Sequence, residues 1–284
     1  MQTVVRQIEI SKTPTTIKIY FLGDIHWATV ICDRETFLKT VKEIKEDPNA
    51  YWVGMGDYGD YITLGDPRFD IELVDPAVLA NRKQFEKFKD IKYIAHWTTQ
   101  ELIKILKPIA EKGLWLHQGN HEETCENKTG YPVMETLCEA LNIPYAGYEA
   151  LSKIRFVLPN GKNIATIDIY STHGWGGGRK AGAKIIRIVE MQESYQADVY
   201  VAAHTHDLQA RRGERMYLTE KGKLKERDTV FMRSGSFRRR RLISGTTYEE
   251  KKGYHLQARG PAILIVRIFN NARKLKPIEL KALI

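Results

Sequence analysis

Five short apolar runs in the first 206 residues each stop at side chains that bind metals, and this pattern limits the fold more than any other feature of the chain. Ile17-Lys-Ile-Tyr-Phe-Leu22 leads to Asp24 and His26, and Tyr51-Trp-Val-Gly-Met55 leads to Asp57. Leu114-Trp-Leu-His-Gln118 runs into Asn120 and His121, Ile164–Tyr170 into His173, and Asp198–Ala202 into His204 and His206. The branched and aromatic content of the runs marks them as strands. Five of the eight histidines stand at these ends rather than scattered over helices and loops. A sheet edge that collects all five ends gathers imidazoles, carboxylates and an amide in one place.

The spacing between runs supports such an edge. Asp33 is expected to N-cap a helix that reaches Glu46, with Phe37, Leu38, Val41 and Ile44 on one face. Asp47-Pro48-Asn49 ends it before the next strand, giving a β-α-β unit and so a parallel strand pair. Further helices are expected near Pro132–Leu141 and from about Lys180 to Gln196. Ile154–Leu158 and Ile164–Tyr170 flank the turn sequence Pro159-Asn160-Gly161, and strands at 229–233 and 262–268 complete the core. Residues 61–112 read as a mostly helical insertion or cap packed against the site, with Phe85, Phe88, Tyr93 and Trp97 as its core. Residues 207–228 read as an exposed β-hairpin. No repeat or linker divides the chain, so 1–284 is expected to form a single α/β domain.

Hydrophobic content of 43% and charged content of 28% over 284 residues suit a globular enzyme. No run approaches the roughly 18 apolar residues of a membrane span, and no signal peptide is evident, so a cytoplasmic protein without a membrane role is expected. Cys32, Cys125 and Cys138 form no CxxC pair and suggest no disulfide framework. The net charge of +9 favours phosphate-rich partners, nucleotides or nucleic acid among them, although many basic enzymes bind neither. The densest block of charge is Phe237-Arg-Arg-Arg-Arg241, for which a solvated face or a cationic rim to the site are the two readings.

In an extended chain residues i and i+2 point the same way, so Asp24 with His26, and His204 with His206, can face one pocket. The mixed nitrogen and oxygen donors suit manganese, iron, cobalt, nickel or zinc rather than calcium. Asp24, His26, Asp57, Asn120, His173, His204 and His206 are too many ligands for one tetrahedral ion. They suit two ions sharing a carboxylate about 3.5–4 Å apart, the arrangement that clamps an in-line phosphoryl displacement.

Asp24-x-His26, Gly56-Asp-x-x-Asp60, Gly119-Asn-His-Glu122, His173 and His204-x-His206, in this order, resemble the calcineurin-like metallophosphoesterase family. The resemblance implies a two-sheet β-sandwich flanked by helices, with the site at the strand ends. It implies that Asp24, His26 and His206 hold one metal, that Asn120, His173 and His204 hold the other, and that Asp57 bridges them. His121 would stand beside the metals without ligating, held by Asp60. Two departures are visible: Ala203 occupies a position that is normally glycine, and Arg233-Ser-Gly-Ser236 replaces an Asn-Pro-Gly-Ser turn common in relatives.

The expectation is therefore a dinuclear, metal-dependent phosphoesterase with manganese favoured. Phosphodiesters of nucleotide or nucleic-acid type are the favoured substrates, attacked in line by a metal-bridging hydroxide with His121 as general acid and Asp60 as its partner. The competing readings are a phosphomonoesterase or phosphoprotein phosphatase on the same site, and an inactive nucleic-acid-binding scaffold. Trp175, Arg179, Arg238 and Arg239 are candidate substrate contacts. Gly176-Gly-Gly178 before Arg179 and Lys180 reads as a phosphate cradle at a helix start or as a simple hinge. Glu122 either supports the ligands or is only an acid at a helix N-terminus.

Overall fold

The computed structural model describes residues 1–62, 69–80, 92–177, 180–219, 222–239, 250, 253, 258–269 and 278–284. Eleven strands fall into two sheets among these residues. In the first, β1 (Gln2–Glu9), β5 (Glu149–Val157), β6 (Asn163–Thr172), β7 (Val199–Ala202), β9 (Leu224–Arg233) and β8 (Gln209–Leu218) lie side by side in that order. In the second, the order is β11 (Ile278–Leu283), β10 (Ala262–Ile268), β2 (Thr15–Leu22), β3 (Ala50–Gly54) and β4 (Gly113–Leu116). The sheets face each other, and helices cover their outer faces.

Alternation along β2 explains the layering. Ile17, Ile19 and Phe21 point between the sheets and meet Val53, Val199, Val201, Val230 and Met232. Tyr20 and Leu22 point outward, where Trp52, Phe37, Val41 and Ile44 form a second cluster with the helices. Strands buried on both faces read as nearly continuous apolar runs, and this is how they appear in the sequence. Helix α1 (Arg34–Glu46) is capped by Asp33, whose side chain accepts from the Thr36 N–H, as its sequence implies. Behind the first sheet, Ile188 of the helix at Ala181–Glu190 packs with Tyr170, Tyr200 and Phe231.

Parallel pairing sets the site. β2, β3 and β4 run parallel to one another, as do β6, β7 and β9. All six C-terminal ends therefore open on one edge of the sandwich. The edges are stitched together there: Phe237 N–H donates to Asp24 O at 3.0 Å, and Ser234 Oγ donates to Phe21 O at 2.6 Å.

The 61–112 segment contains α2 (Pro76–Ala80) and α3 (Lys92–Leu106), followed by a 3-10 turn at Lys107–Lys112. Leu102, Leu106 and Ile109 join Trp52 in the outer cluster, and Trp52 Nε1 donates to Ile109 O at 2.8 Å. The segment thus walls the second sheet, and inside it Tyr61 Oη meets Thr99 Oγ1 at 3.2 Å. Tyr93 is buried and Trp97 partly buried, while Phe85 and Phe88 lie outside the described residues. Helix α4 (Asn120–Thr129) was not legible because it is polar almost throughout, with Cys125 as its buried apolar residue. Helix α5 (Val133–Leu141) buries Val133, Met134, Leu137 and Leu141, and Ala181–Glu190 is α6. The expected hairpin and the strand at 229–233 prove to share one strand, β9. Its first half is exposed and its second half buried, so its composition changes midway. No helix among the described residues is long and apolar enough to cross a membrane.

Phe156 is fully buried between the sheets. Phe156→Ala is expected to lower unfolding stability by about 3–5 kcal/mol through loss of burial and a residual cavity. Urea denaturation checks this, and divalent-metal binding by the folded variant should be unchanged.

Candidate metal centre

The strand ends deliver their side chains through unusual backbone. Asp24, His26, Asp57, His204 and His206 all have left-handed φ, between 49° and 67°. For residues other than glycine this costs on the order of 1–3 kcal/mol each and persists only where the surroundings enforce it. The enforcement is visible. Asp24 N–H donates to Gly56 O at 3.0 Å and Ile25 N–H to Asp57 O at 2.9 Å, while His204 N–H donates to Asp24 Oδ2 at 2.8 Å. Ala203 does not share the left-handed conformation, so the position has no need of the usual glycine.

Three groups of ligand atoms lie within 4.8 Å of one another: Asp24, His26 and His206; Asp57, His173 and His204; and His26, Asp57 and His121. In the first, His206 Nε2 is 3.4 Å from Asp24 Oδ1 and 3.3 Å from His26 Nε2. In the second, His173 Nε2 is 3.4 Å from Asp57 Oδ2 and 3.3 Å from His204 Nδ1. Asn120 Oδ1, at the start of α4, lies 3.2 Å from His173 Nε2 and joins this group. The seven proposed ligands thus meet at one edge.

Neighbouring acceptors fix the rings. His173 Nδ1 donates to Met55 O at 2.7 Å, His26 Nδ1 to Asp60 Oδ1 at 3.0 Å, and His121 Nδ1 to the Asp60 carbonyl. Each of these acceptors lacks a proton, so each ring must donate from Nδ1 and turn Nε2 toward the centre. The Asp60 carboxylate therefore serves His26 rather than His121, whose Nδ1 is 3.8 Å from it. His121 is held by the main chain of Asp60 instead.

The electrostatics are those of a site made for cations. Burial would raise Asp57, but His173 and His121 reverse this and hold it well below the ordinary carboxylate range. Burial first, then the charge of Arg238, pushes His26 down to about 3. His173 goes the other way: burial opposes its charge, yet the Asp57 carboxylate raises it to about 9. Asp24 Oδ1 is buried with no hydrogen-bond partner among the described residues. Two buried carboxylates, converging imidazole nitrogens and an orphaned oxygen fit divalent metal ions.

Glu122 is both of the things its position suggested. It lies in the first turn of α4, and its carboxylate accepts N–H bonds from Asp57 (2.8 Å), Tyr58 (2.8 Å) and Gly119 (2.9 Å). Burial and the charge of Asp57 push it up to about 7 against those donors. Arg239 bonds to Asp33 at 3.2 Å, and Arg259 bonds to the same carboxylate, so both brace the start of α1. The charge of Arg238 reaches both His26 and Asp60. Trp175 follows His173 and is 41% exposed. Arg179 lies outside the described residues, as do Arg240 and Arg241. Tyr148, which the sequence did not single out, stands edge-on to His173 with ring centroids 5.5 Å apart.

A family model described as calcineurin-like phosphoesterase matches residues 17–208, from β2 through the His204–His206 loop. The chain belongs to that family, and the family together with the His and Asp clusters makes it a metal-dependent phosphoesterase. No curated protein matches the chain.

Metal binding by the metal-free protein should depend on pH with a definite sign. His173, with a pKa of about 9, is protonated at neutral pH and must lose that proton to ligate. Affinity should therefore rise by about tenfold per pH unit up to the His173 pKa, because one proton leaves for each ion bound there. Calorimetry in buffers of different ionisation enthalpy should find about one more proton released per protein at pH 7.5 than above pH 10, the share that His173 contributes.

Proposed function

We propose that this calcineurin-like phosphoesterase hydrolyses phosphodiesters of nucleotide or nucleic-acid type on a pair of divalent ions, with manganese favoured. The observation that carries the reading is Asp57, fully enclosed at the junction of two ligand groups. Asp24, His26 and His206 would hold one ion, Asn120, His173 and His204 the other, and Asp57 would serve both. When bound, such ions supply Lewis acidity and an activated water at neutral pH.

The protein's own contribution is orientation and proton transfer. Asp60 and Met55 hold His26 and His173 with Nε2 inward, so neither ring must reorganise to ligate. His121 is the general acid. Its Nδ1–H stays on the Asp60 carbonyl, and in the imidazolium form Nε2–H is the proton offered to the leaving oxygen. Nε2 stands 3.9 Å from Asp57 Oδ2, beside the ligands. The Arg238 charge next to His26 and Asp60 supports an anionic substrate on that side, and the net charge of +9 supports a polyanionic one.

Hydrolysis of bis-p-nitrophenyl phosphate and p-nitrophenyl phosphate, after chelation and return of single metals, tests the substrate class. Faster diester turnover restored by Mn²⁺ is expected. Monoester preference would overturn the diester assignment, and no turnover on either at full metal occupancy would overturn the catalytic one. His121→Ala should lower turnover by about 10²–10⁴-fold, the usual worth of a general acid. Its metal content should stay at the wild-type level; a stripped site would make His121 a ligand.

A further inference from the structure

Two buried cations outside the ligand set act on the loop that carries His204 and His206. Lys184 of α6 is buried and places Nζ 2.5 Å from Asp207 Oδ2, with Thr205 O at 3.4 Å. Arg233, at the end of β9, is also buried. Its Nε donates to Lys184 O at 2.7 Å, and its Nη1 donates to Ala203 O at 3.1 Å and to Thr205 Oγ1 at 2.9 Å. The two cations thus engage residues 203, 205 and 207, interleaved with the two ligands.

Ordinary packing would account for one buried ion pair, but not for where these bonds go. His204 and His206 have φ of 67° and 58°, and a loop alternating through the left-handed region has no regular ladder to hold it. Each residue flanking a ligand is instead tied to a guanidinium or ammonium group. Arg233 also ties the loop to α6, because it bonds the carbonyl of the lysine that pairs with Asp207.

We propose that Lys184 and Arg233 are positioning residues of the metal centre, holding the 203–207 loop in the shape that presents both imidazoles. Metal affinity then depends on the seating of α6, which links a helix that carries none of the ligands to the occupancy of the site. This rests on the metal-centre reading given above.

The test compares wild type with Lys184→Met/Asp207→Asn, which removes both charges of the pair together and leaves Arg233 the charge of Asp24. The milder Thr205→Val deletes one acceptor of Arg233. Mn²⁺ affinity by chelator competition, the melting temperature of the metal-free protein, and kcat at saturating Mn²⁺ are read for each. The double variant is expected to bind Mn²⁺ about 10–100-fold more weakly, the usual cost of losing groups that orient metal ligands. Its kcat should recover when Mn²⁺ is saturating. Thr205→Val should lose less affinity and keep its melting temperature. Variants that melt earlier but bind Mn²⁺ as tightly as wild type would overturn the positioning role alone. Wild type that binds no divalent ion would overturn the metal centre, and the positioning role with it.

Discussion

Asp57 can occupy the centre of this protein only because the chain around it is bare. A Cβ at Gly119 would stand 2.2 Å from Asp57 Oδ1 and 2.3 Å from its backbone nitrogen. A Cβ at Gly56, where φ is +88°, would stand 2.6 Å from Gly119 N. The ends of β3 and β4 must therefore meet backbone to backbone, and glycine is the residue that allows it. With that contact made, Asp57 receives the His121 N–H on Oδ1 at 2.9 Å and gives its own N–H to Glu122. Oδ2 is left facing His173 and His121. Asp57 thus shares one cluster of potential ligand atoms with His26 and His121 and another with His173 and His204.

The rest of the site shows what such crowding costs and how it is contained. Left-handed backbone recurs at five of the side chains brought together, and the imidazoles have opposed pKa values, His26 at about 3 and His173 at about 9. Strain and unbalanced charge of this kind survive only within a rigid frame. The frame is the edge of two packed sheets, closed by Ser234, Phe237, Glu122 and the buried cations Lys184 and Arg233.

Much of this was legible in the sequence because strand physics is local. Ile17–Leu22 and Tyr51–Met55 are largely apolar because these strands are covered on both sides, and Asp24 and Asp57 each stand two residues past their run. The family match over 17–208 covers the stretch in which the ligand motifs stand. What stayed hidden depends on contacts that spacing does not encode. Helix α4 has no apolar stripe, so Asn120 read as a strand end although it opens a helix. The family resemblance implied that Asp60 holds His121; its carboxylate turns to His26, and its main-chain carbonyl takes the His121 Nδ1–H. Arg239 looked like part of a cationic rim, but Asp33, more than two hundred residues earlier in the chain, claims it. Arg233 gave one faint signal, a charge closing the apolar run Thr229–Met232. Its three acceptors lie on other elements, beyond what the run itself can show.

The shared-carboxylate centre is most directly tested by anomalous diffraction from crystals loaded with Mn²⁺. Two peaks about 3.5–4 Å apart, one on each side of Asp57, are the expected result. The first should be surrounded by Asp24, His26 and His206, the second by Asn120, His173 and His204, with His121 outside both. A single peak, or a peak coordinated by His121, would contradict the assignment of Asp57 as the bridge.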